Sequence, residues 1–323
     1  MAEQLYPDFY RIQIPLPNSP LKSLNSYVIR GGARNLLIDT GLNLDACKKA
    51  MLEGLAELGI GLETVDLFIT HLHSDHFGLV TELAGENTRI YFNRPDGERL
   101  ENAKVFEHIH QYSEKNGFPG EGLLEALNQH PGVKYGAGWM PVLDILNDND
   151  RLTVGDYSFT CISTPGHSPG HICLYEPHKR IFVAGDHVLS DITPHIQCWE
   201  ENANSLQDYL MSLDKVRELD VDQVLPGHRN LFKNFTKRID ELKHHHFQRL
   251  AEVERILAKS SPLNAYEVAS EMTWELTAKD WAAFPLMQKW FATGEAIAHL
   301  RCLEMDNRVR RVRIDPVIQY ELA

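Results

Sequence analysis

Several familiar signatures are missing from this 323-residue chain, and each absence narrows what it can be. Its five cysteines (Cys47, Cys161, Cys173, Cys198, Cys302) are odd in number, scattered, and form no Cys-x-x-Cys pair. That excludes a disulfide framework or a thiolate zinc site as the organising principle and fits a reducing compartment, with the cytoplasm as the default. No apolar run approaches the roughly 18 residues of a membrane span. The start, Met1-Ala2-Glu3-Gln4-Leu5-Tyr6-Pro7, has neither the basic region nor the apolar core of a secretory signal. Basic charge is also short: 32 Lys and Arg stand against 45 Asp and Glu, a net charge of −13. Residues 237–323 hold 13 of each sign, so residues 1–236, with 19 basic and 32 acidic side chains, carry the whole deficit. An acidic body repels polyphosphate at long range, which argues against nucleic acid as the main partner and for a small-molecule substrate.

What is present is an ordinary globular composition, 43% hydrophobic and 24% charged, in a chain longer than one average domain. One large domain with a smaller appendage is the expectation. The stretch that organises it is Thr70-His71-Leu72-His73-Ser74-Asp75-His76-Phe77-Gly78, directly after the apolar run 65–69. That run reads as a buried strand. On extended backbone, residues two apart share a side, so His71 and His73 can grip one ion together. Asp75 and His76 follow where the chain must turn and can face a second ion. Neutral imidazoles with a carboxylate suit zinc, iron or manganese rather than calcium or magnesium.

Along the chain, paired strands are expected at 10–16, 26–29 and 35–38, the last running into Asp39-Thr40-Gly41. A helix over 44–58 follows, closed by Gly59 and Gly61, then the strand and histidine stretch, a short helix over 77–83 and a strand over 89–92. Residues 93–140 break the rhythm. They read as helical over 98–115 and 120–129, carry Tyr112, Phe118 and Trp139, and look like a lid-like insertion forming a pocket wall. The strand pattern resumes at 151. Residues 157–163 run into Thr164-Pro165-Gly166-His167-Ser168-Pro169-Gly170-His171, residues 180–184 into Gly185-Asp186-His187, and 222–225 into Pro226-Gly227-His228. Three further candidate ligands thus each stand just past the carboxyl end of a strand, where α/β architectures collect their chemistry. Beyond residue 236 a long amphipathic helix is expected from Ile239, Leu242, His246, Leu250, Val253 and Leu257. Shorter helices follow, one behind a capping box at Thr277-Ala278-Lys279-Asp280, another over 286–305, and then a terminal hairpin.

The set His71-x-His73-x-Asp75-His76, His167, Asp186 and His228, together with Asp39-Thr40-Gly41 and the Gly-Asp and Pro-Gly-His turns, resembles the metallo-β-lactamase fold superfamily in its glyoxalase II-like hydrolase branch. The likeness covers roughly residues 10–235. It implies an α/β fold, an αβ/βα four-layer sandwich over residues 1–236, with a dinuclear centre on one edge. On that resemblance His71, His73 and His167 hold one divalent ion, Asp75, His76 and His228 hold the second, and Asp186 bridges them. Zinc is the first expectation, iron or manganese the others. Two ions sharing a water lower its pKa and supply hydroxide near neutral pH, which attacks a carbonyl or phosphoryl centre, with Asp75 and Asp186 as the catalytic carboxylates. His171 and Asp39 are read as supports behind the ligands, with Asp39 accepting a proton from a ligand imidazole. His187, His195, Tyr112 and Trp139 are read as pocket residues.

Residues 237–323 resemble the winged-helix module appended to some members of the superfamily. With no net positive charge, and only Arg308, Arg310, Arg311 and Arg313 as a basic cluster, this part is read as a packing, homodimerisation or pocket-closing element. The leading function is a dinuclear metallohydrolase acting on a small ester, thioester or lactone. The rivals are a phosphodiesterase or ribonuclease of the same fold, which needs basic patches beside the metal edge, and a winged-helix nucleic-acid-binding regulator whose metal domain senses a ligand. A mononuclear iron dioxygenase of the same fold is a further rival, which would leave Asp75, His76 and His228 without metal.

Overall fold

The computed structural model describes residues 1–102, 105–120, 122–123, 141–274, 280–314 and 316–323. The chain divides into two compact units, the first made of Met1–Asn102, Pro131–Pro194 and Ser212–Ile239, the second of Ala103–His130, His195–Met211 and Asp240–Ala323.

The first unit contains two sheets. One has seven strands in chain order: β1 Ala2–Tyr6, β2 Phe9–Pro15, β3 Ser23–Ile29, β4 Asn35–Ile38, β5 Val65–Phe68, β6 Ile90–Asn93 and β7 Asp144–Leu146. β1 to β4 pair antiparallel, and β4 to β7 run parallel. The other sheet has five strands, β8 Arg151–Val154, β9 Tyr157–Ser163, β10 Ile172–Glu176, β11 Ile181–Gly185 and β12 Gln223–Pro226, in the order β12-β11-β10-β9-β8. Only β11 and β12 of these pair in parallel.

Alternation along the strands builds two cores from one sheet. Phe9, Tyr27, Ile29, Leu36, Ile38 and Phe68 point to one face and meet Phe159, Ile172, Leu174, Ile181 and Val183 of the second sheet. Their neighbours Ile12, Ile14, Val28, Leu37 and Leu67 point to the other face. There they meet Met51 and Leu55 of α1 (Asp45–Glu57), Phe77 of α2 (Ser74–Phe77), and Val80 and Leu83 of α3 (Val80–Leu83). Among the described residues the further helices are α4 Arg94–Glu101, α5 Val105–Lys115, α6 Ser205–Arg217, α7 Phe235–Lys259, α8 Ala265–Glu271 and α9 Leu286–Met305. On the far side of the second sheet Phe182 packs against Phe235, ring centres 5.0 Å apart. The fold is a mixed α/β sandwich.

Where the second unit is described it is rich in helix, with one hairpin, β13 Val309–Ile314 and β14 Val317–Leu322. A capping box of Asn264 and Glu267 starts α8. Trp199 stacks on Trp290 of α9 with ring centres 4.4 Å apart and planes 7° from parallel. Three arginines at the hairpin are engaged by carboxylates: Arg308 by Glu254, Arg310 by Glu321, and Arg311 by Glu201 and Glu304.

Three differences from the sequence reading have physical causes. β1 was not expected, because Ala2-Glu3-Gln4-Leu5-Tyr6 is an edge strand, half exposed and polar on its free side. The helix expected over 98–115 is two, and α4 begins earlier, at Arg94, with Pro95 in its first turn, where the missing N–H costs nothing. The long C-terminal helix begins at Phe235, before the first residue of its apolar stripe. The helix expected over 120–129, Trp139 and the cap at Thr277–Lys279 fall wholly or largely outside the described residues. Asp280 caps a single 3-10 turn, Trp281–Ala283, accepting the Ala283 N–H at 3.0 Å. No helix among the described residues is long and apolar enough to cross a membrane.

Candidate metal centre

The parallel strands β4, β5 and β6 deliver their carboxyl ends to one edge of the first sheet. β5 is buried throughout, and Ile69-Thr70 carries it on into His71 before the chain bends at His73 to start α2. Asp75 and His76 therefore lie on a helical turn while His71 and His73 precede it. The ring centres of His71, His73 and His167 stand 4.6–4.9 Å apart. Donor atoms of three trios, His71–His73–His167, His71–His76–Asp186 and Asp75–His76–His228, each fall within 4.8 Å of one another.

Asp186, at the carboxyl end of β11, lies between the outer trios. One oxygen is 3.7 Å from His167 Nε2 and 3.4 Å from His228 Nε2, and the other is 3.6 Å from His76 Nε2. Asp75 Oδ2 stands 3.3 Å from His228 Nε2. Two imidazoles are held in a defined orientation. His76 Nδ1 donates to Asp39 Oδ2 at 2.7 Å, and His228 Nδ1 donates to the Ser23 carbonyl at 2.9 Å. Nδ1 of each ring is thus committed to an acceptor, and Nε2 is the nitrogen turned to the interior, where an ion would take the place of its proton, the arrangement that metal-ligating histidines adopt. The donor set, imidazoles with carboxylates and no thiolate, fits zinc, iron or manganese.

The surroundings fix these groups. Asp39 adopts φ 57° after β4, a left-handed conformation that Asp tolerates, and its carboxylate accepts the Thr70 N–H at 2.8 Å and the Thr70 hydroxyl at 2.9 Å. The Pro226-Gly227-His228 turn is tied to β3. The Asn25 N–H donates to the Gly227 carbonyl at 2.7 Å, and the Tyr27 hydroxyl donates to the Pro226 carbonyl at 2.7 Å. His171 Nε2 accepts the Asp186 N–H at 3.1 Å, and its Nδ1 meets the Thr164 hydroxyl at 2.8 Å. That ring therefore holds the backbone of Asp186 and has no nitrogen left for an ion. Gly185, at φ +47°, makes room for it: a Cβ there would stand 2.7 Å from His171 Nε2 and 2.9 Å from the Thr70 side chain.

Charge is unevenly shared. Burial disfavours ionisation of Asp75 and Asp186, but His76 and His228 outweigh it and hold both carboxyls well below the usual range. Burial likewise opposes a charge on His76 and His228, yet the surrounding carboxylates raise both, His228 to about 10. His71 and His73 move the other way, pushed well down by burial and neighbouring imidazoles.

Of the other sequence candidates, His187 is wholly buried beside His171, ring centres 6.0 Å apart, and burial lowers it to about 3. His195 belongs to the second unit, where its Nε2 meets the Phe291 carbonyl at 3.1 Å and Glu295 at 3.4 Å. Tyr112 is also in the second unit, buried on α5 beside a cleft of about 190 Å³ that it lines with His108, Lys115 and Trp199. Sequence reasoning passed over Thr70 and Asp96. Thr70 is an ordinary residue between apolar strand and first ligand, with nothing to mark it. Asp96 is fully buried in the first turn of α4, ahead of the helix expected over 98–115, and nothing in the sequence marks it.

Site and fold together define a class. A family model described as the metallo-beta-lactamase superfamily matches residues 21–228, and one described as metallo-beta-lactamase-like, C-terminal domain, matches residues 250–323. The chain belongs to the metallo-beta-lactamase superfamily and is a hydrolase of that class. Among solved structures it is similar to the metallo-beta-lactamase family protein TTHA1429 of Thermus thermophilus, with a TM-score of 0.83 and 27% identity, covering 99% of this chain and 100% of that one. Among curated proteins it is 28% identical over 224 residues to the human acyl-coenzyme A thioesterase MBLAC2, spanning 64% of this chain and 74% of that protein. It is 25% identical over 221 residues to the atrochrysone carboxyl ACP thioesterase of Aspergillus fumigatus, 68% of this chain and 55% of that protein.

Proposed function

We propose that this chain hydrolyses a small acyl substrate, with a thioester ahead of an ester or lactone, using two divalent ions, zinc first. His71, His73 and His167 would hold one ion, Asp75, His76 and His228 the other, and Asp186 both. The observation that carries this reading is the position of the Asp186 carboxylate, between His167 on one side and His76 and His228 on the other. Ions bound there lower the pKa of water and polarise the oxygen of a carbonyl under attack. The chain's own groups do the remaining work. Asp39 and the Ser23 carbonyl engage Nδ1 of His76 and His228 and so turn Nε2 of each inward, where an ion would displace its proton. The Asp75 carboxylate, beside His228 Nε2, orients the attacking water and takes its proton, which then passes to the leaving thiolate or alkoxide. No serine or cysteine nucleophile is needed.

Two relatives named as thioesterases support the acyl-thioester class. The acidic balance of residues 1–236 and the carboxylate partners of Arg308, Arg310 and Arg311 weigh against nucleic acid. The test is a panel of acyl-coenzyme A thioesters, lactones and aryl esters against phosphodiesters and single-stranded RNA, run on metal-replete protein with elemental analysis. Turnover on thioesters with two metal equivalents is expected. Highest turnover on RNA overturns the substrate class, and a single equivalent overturns the dinuclear centre.

A further inference from the structure

Asp96 stands where two ligand-bearing segments meet. β6 lies next to β5 and parallel to it, so the first turn of α4 emerges beside the residues that follow β5. The segment carrying His167 arrives there from the second sheet, at the end of β9. The Asp96 carboxylate, with no exposed surface, joins the two. Its Oδ2 accepts the Leu72 N–H at 2.9 Å and the Ser168 hydroxyl at 2.7 Å, and its Oδ1 accepts the Gly170 N–H at 2.6 Å. Leu72 is the residue between His71 and His73, and Ser168 follows His167 directly. Gly170 is part of the same fit, because a Cβ there would stand 2.6 Å from the Asp96 nitrogen and 2.7 Å from Asn93 Oδ1.

We propose that Asp96 is a positioning residue for one metal position, a carboxylate that fixes the spacing of the His71–His73 pair against His167. The proposal rests on the metal-centre reading above and adds an asymmetry to it. The Asp75–His76–His228 trio is held by different contacts, Asp39 on His76 and the Ser23 carbonyl on His228, and Asp96 touches none of them directly. Loosening Asp96 therefore weakens one ion and spares the other. Side chains that merely pack a loop would weaken both or neither.

The experiment compares wild type, Ser168→Ala and Asp96→Asn, each loaded with zinc and titrated with a chelator, with metal per chain counted at every step. Cobalt-loaded samples report ligand geometry through visible absorption. In Ser168→Ala one of the three donors to the carboxylate is lost. In Asp96→Asn a buried N–H donor is turned toward an amide NH2. The expected result is that one ion leaves at about tenfold lower chelator in Ser168→Ala and up to about a hundredfold lower in Asp96→Asn, while the other leaves as in wild type. The cobalt spectrum should change for the weakened position alone. Variants that release both ions as wild type does, or both together at lower chelator, overturn the proposal. If Asp96→Asn fails to fold, Ser168→Ala decides. A wild-type protein that holds fewer than two ions counts against the dinuclear reading, whereas two ions with unshifted variants count against Asp96 alone.

Discussion

Gly185→Ala tests the packing behind Asp186, and its cost can be built from two parts. The first is backbone: at φ +47° an alanine pays about 1–2 kcal/mol for a left-handed conformation. The second is crowding: the new methyl would lie 2.7 Å from His171 Nε2 and 2.9 Å from Thr70 Cβ and Oγ1, both wholly buried and hydrogen-bonded. Overpacking of that kind costs about 1–3 kcal/mol, so the total is about 2–5 kcal/mol. Gly32→Ala isolates the first part, because Gly32 has φ +78° and nothing within 4 Å of its would-be Cβ. It should cost about 1–2 kcal/mol. The assay is urea unfolding of chelator-stripped protein, so that ion binding does not contribute, with midpoints compared at constant slope. The crowding has a second readout: a displaced His171 releases the Asp186 N–H, and zinc affinity should fall in Gly185→Ala but not in Gly32→Ala. Equal destabilisation of the two variants, with equal zinc affinity, refutes the argument that His171 and Thr70 close on Gly185.

Asp186→Ala should lose activity by several orders of magnitude while keeping its circular dichroism, since the carboxylate between the two trios is gone; near-normal turnover with two bound ions removes it from that role. Trp290→Ala deletes a buried ring that stacks on Trp199 and donates to the Ser113 hydroxyl at 3.1 Å, and should destabilise the second unit by about 3–5 kcal/mol. The half-exposed Phe247, replaced by Ser, should stay within about 0.5 kcal/mol of wild type in the same unfolding assay. His299 is buried and neutral, lowered by burial to about 4; its Nδ1 donates to the Glu295 carbonyl and its Nε2 accepts from His246 Nδ1. Because the unfolded imidazole titrates near 6.5, it costs nothing above that pH, and stability should fall as the pH drops from about 6.5 to about 4, by up to about 1.4 kcal/mol per pH unit. His299→Gln should flatten that part of the profile in urea melts taken between those two pH values.

The sandwich was legible because its strands alternate or run apolar against glycine and proline turns, and because each ligand motif directly follows such a strand. Leu36-Leu37-Ile38 feeding two cores is the pattern in miniature. The three-histidine cluster could be placed for the same reason: His71 and His73 share a side of extended backbone, and a turn must follow. What stayed hidden was whatever depends on contacts between distant segments. Nothing local marks Asp96 as the meeting point of Leu72, Ser168 and Gly170, which lie 24 to 74 residues away. Nor does anything near Tyr112 or His195 assign them to the second unit, because membership there is decided by residues distant in sequence, such as Phe291, whose carbonyl meets His195. The edge strand β1 was missed because a strand with one partner and a wet face needs no alternating signature.

The five cysteines, all buried and unpaired, turn the folded protein into a silent substrate for thiol chemistry. Burial also raises each thiol, Cys161 and Cys173 to about 12, so neither access nor thiolate is on offer while the chain stays closed. Cys47, Cys161 and Cys173 lie in the first unit, Cys198 and Cys302 in the second. An alkylating reagent added in rising urea therefore becomes a clock with two hands. The order in which these side chains take up the label, read by peptide mass, reports which unit opens first. A single cysteine added on the surface would carry a dye with no background from the rest of the chain.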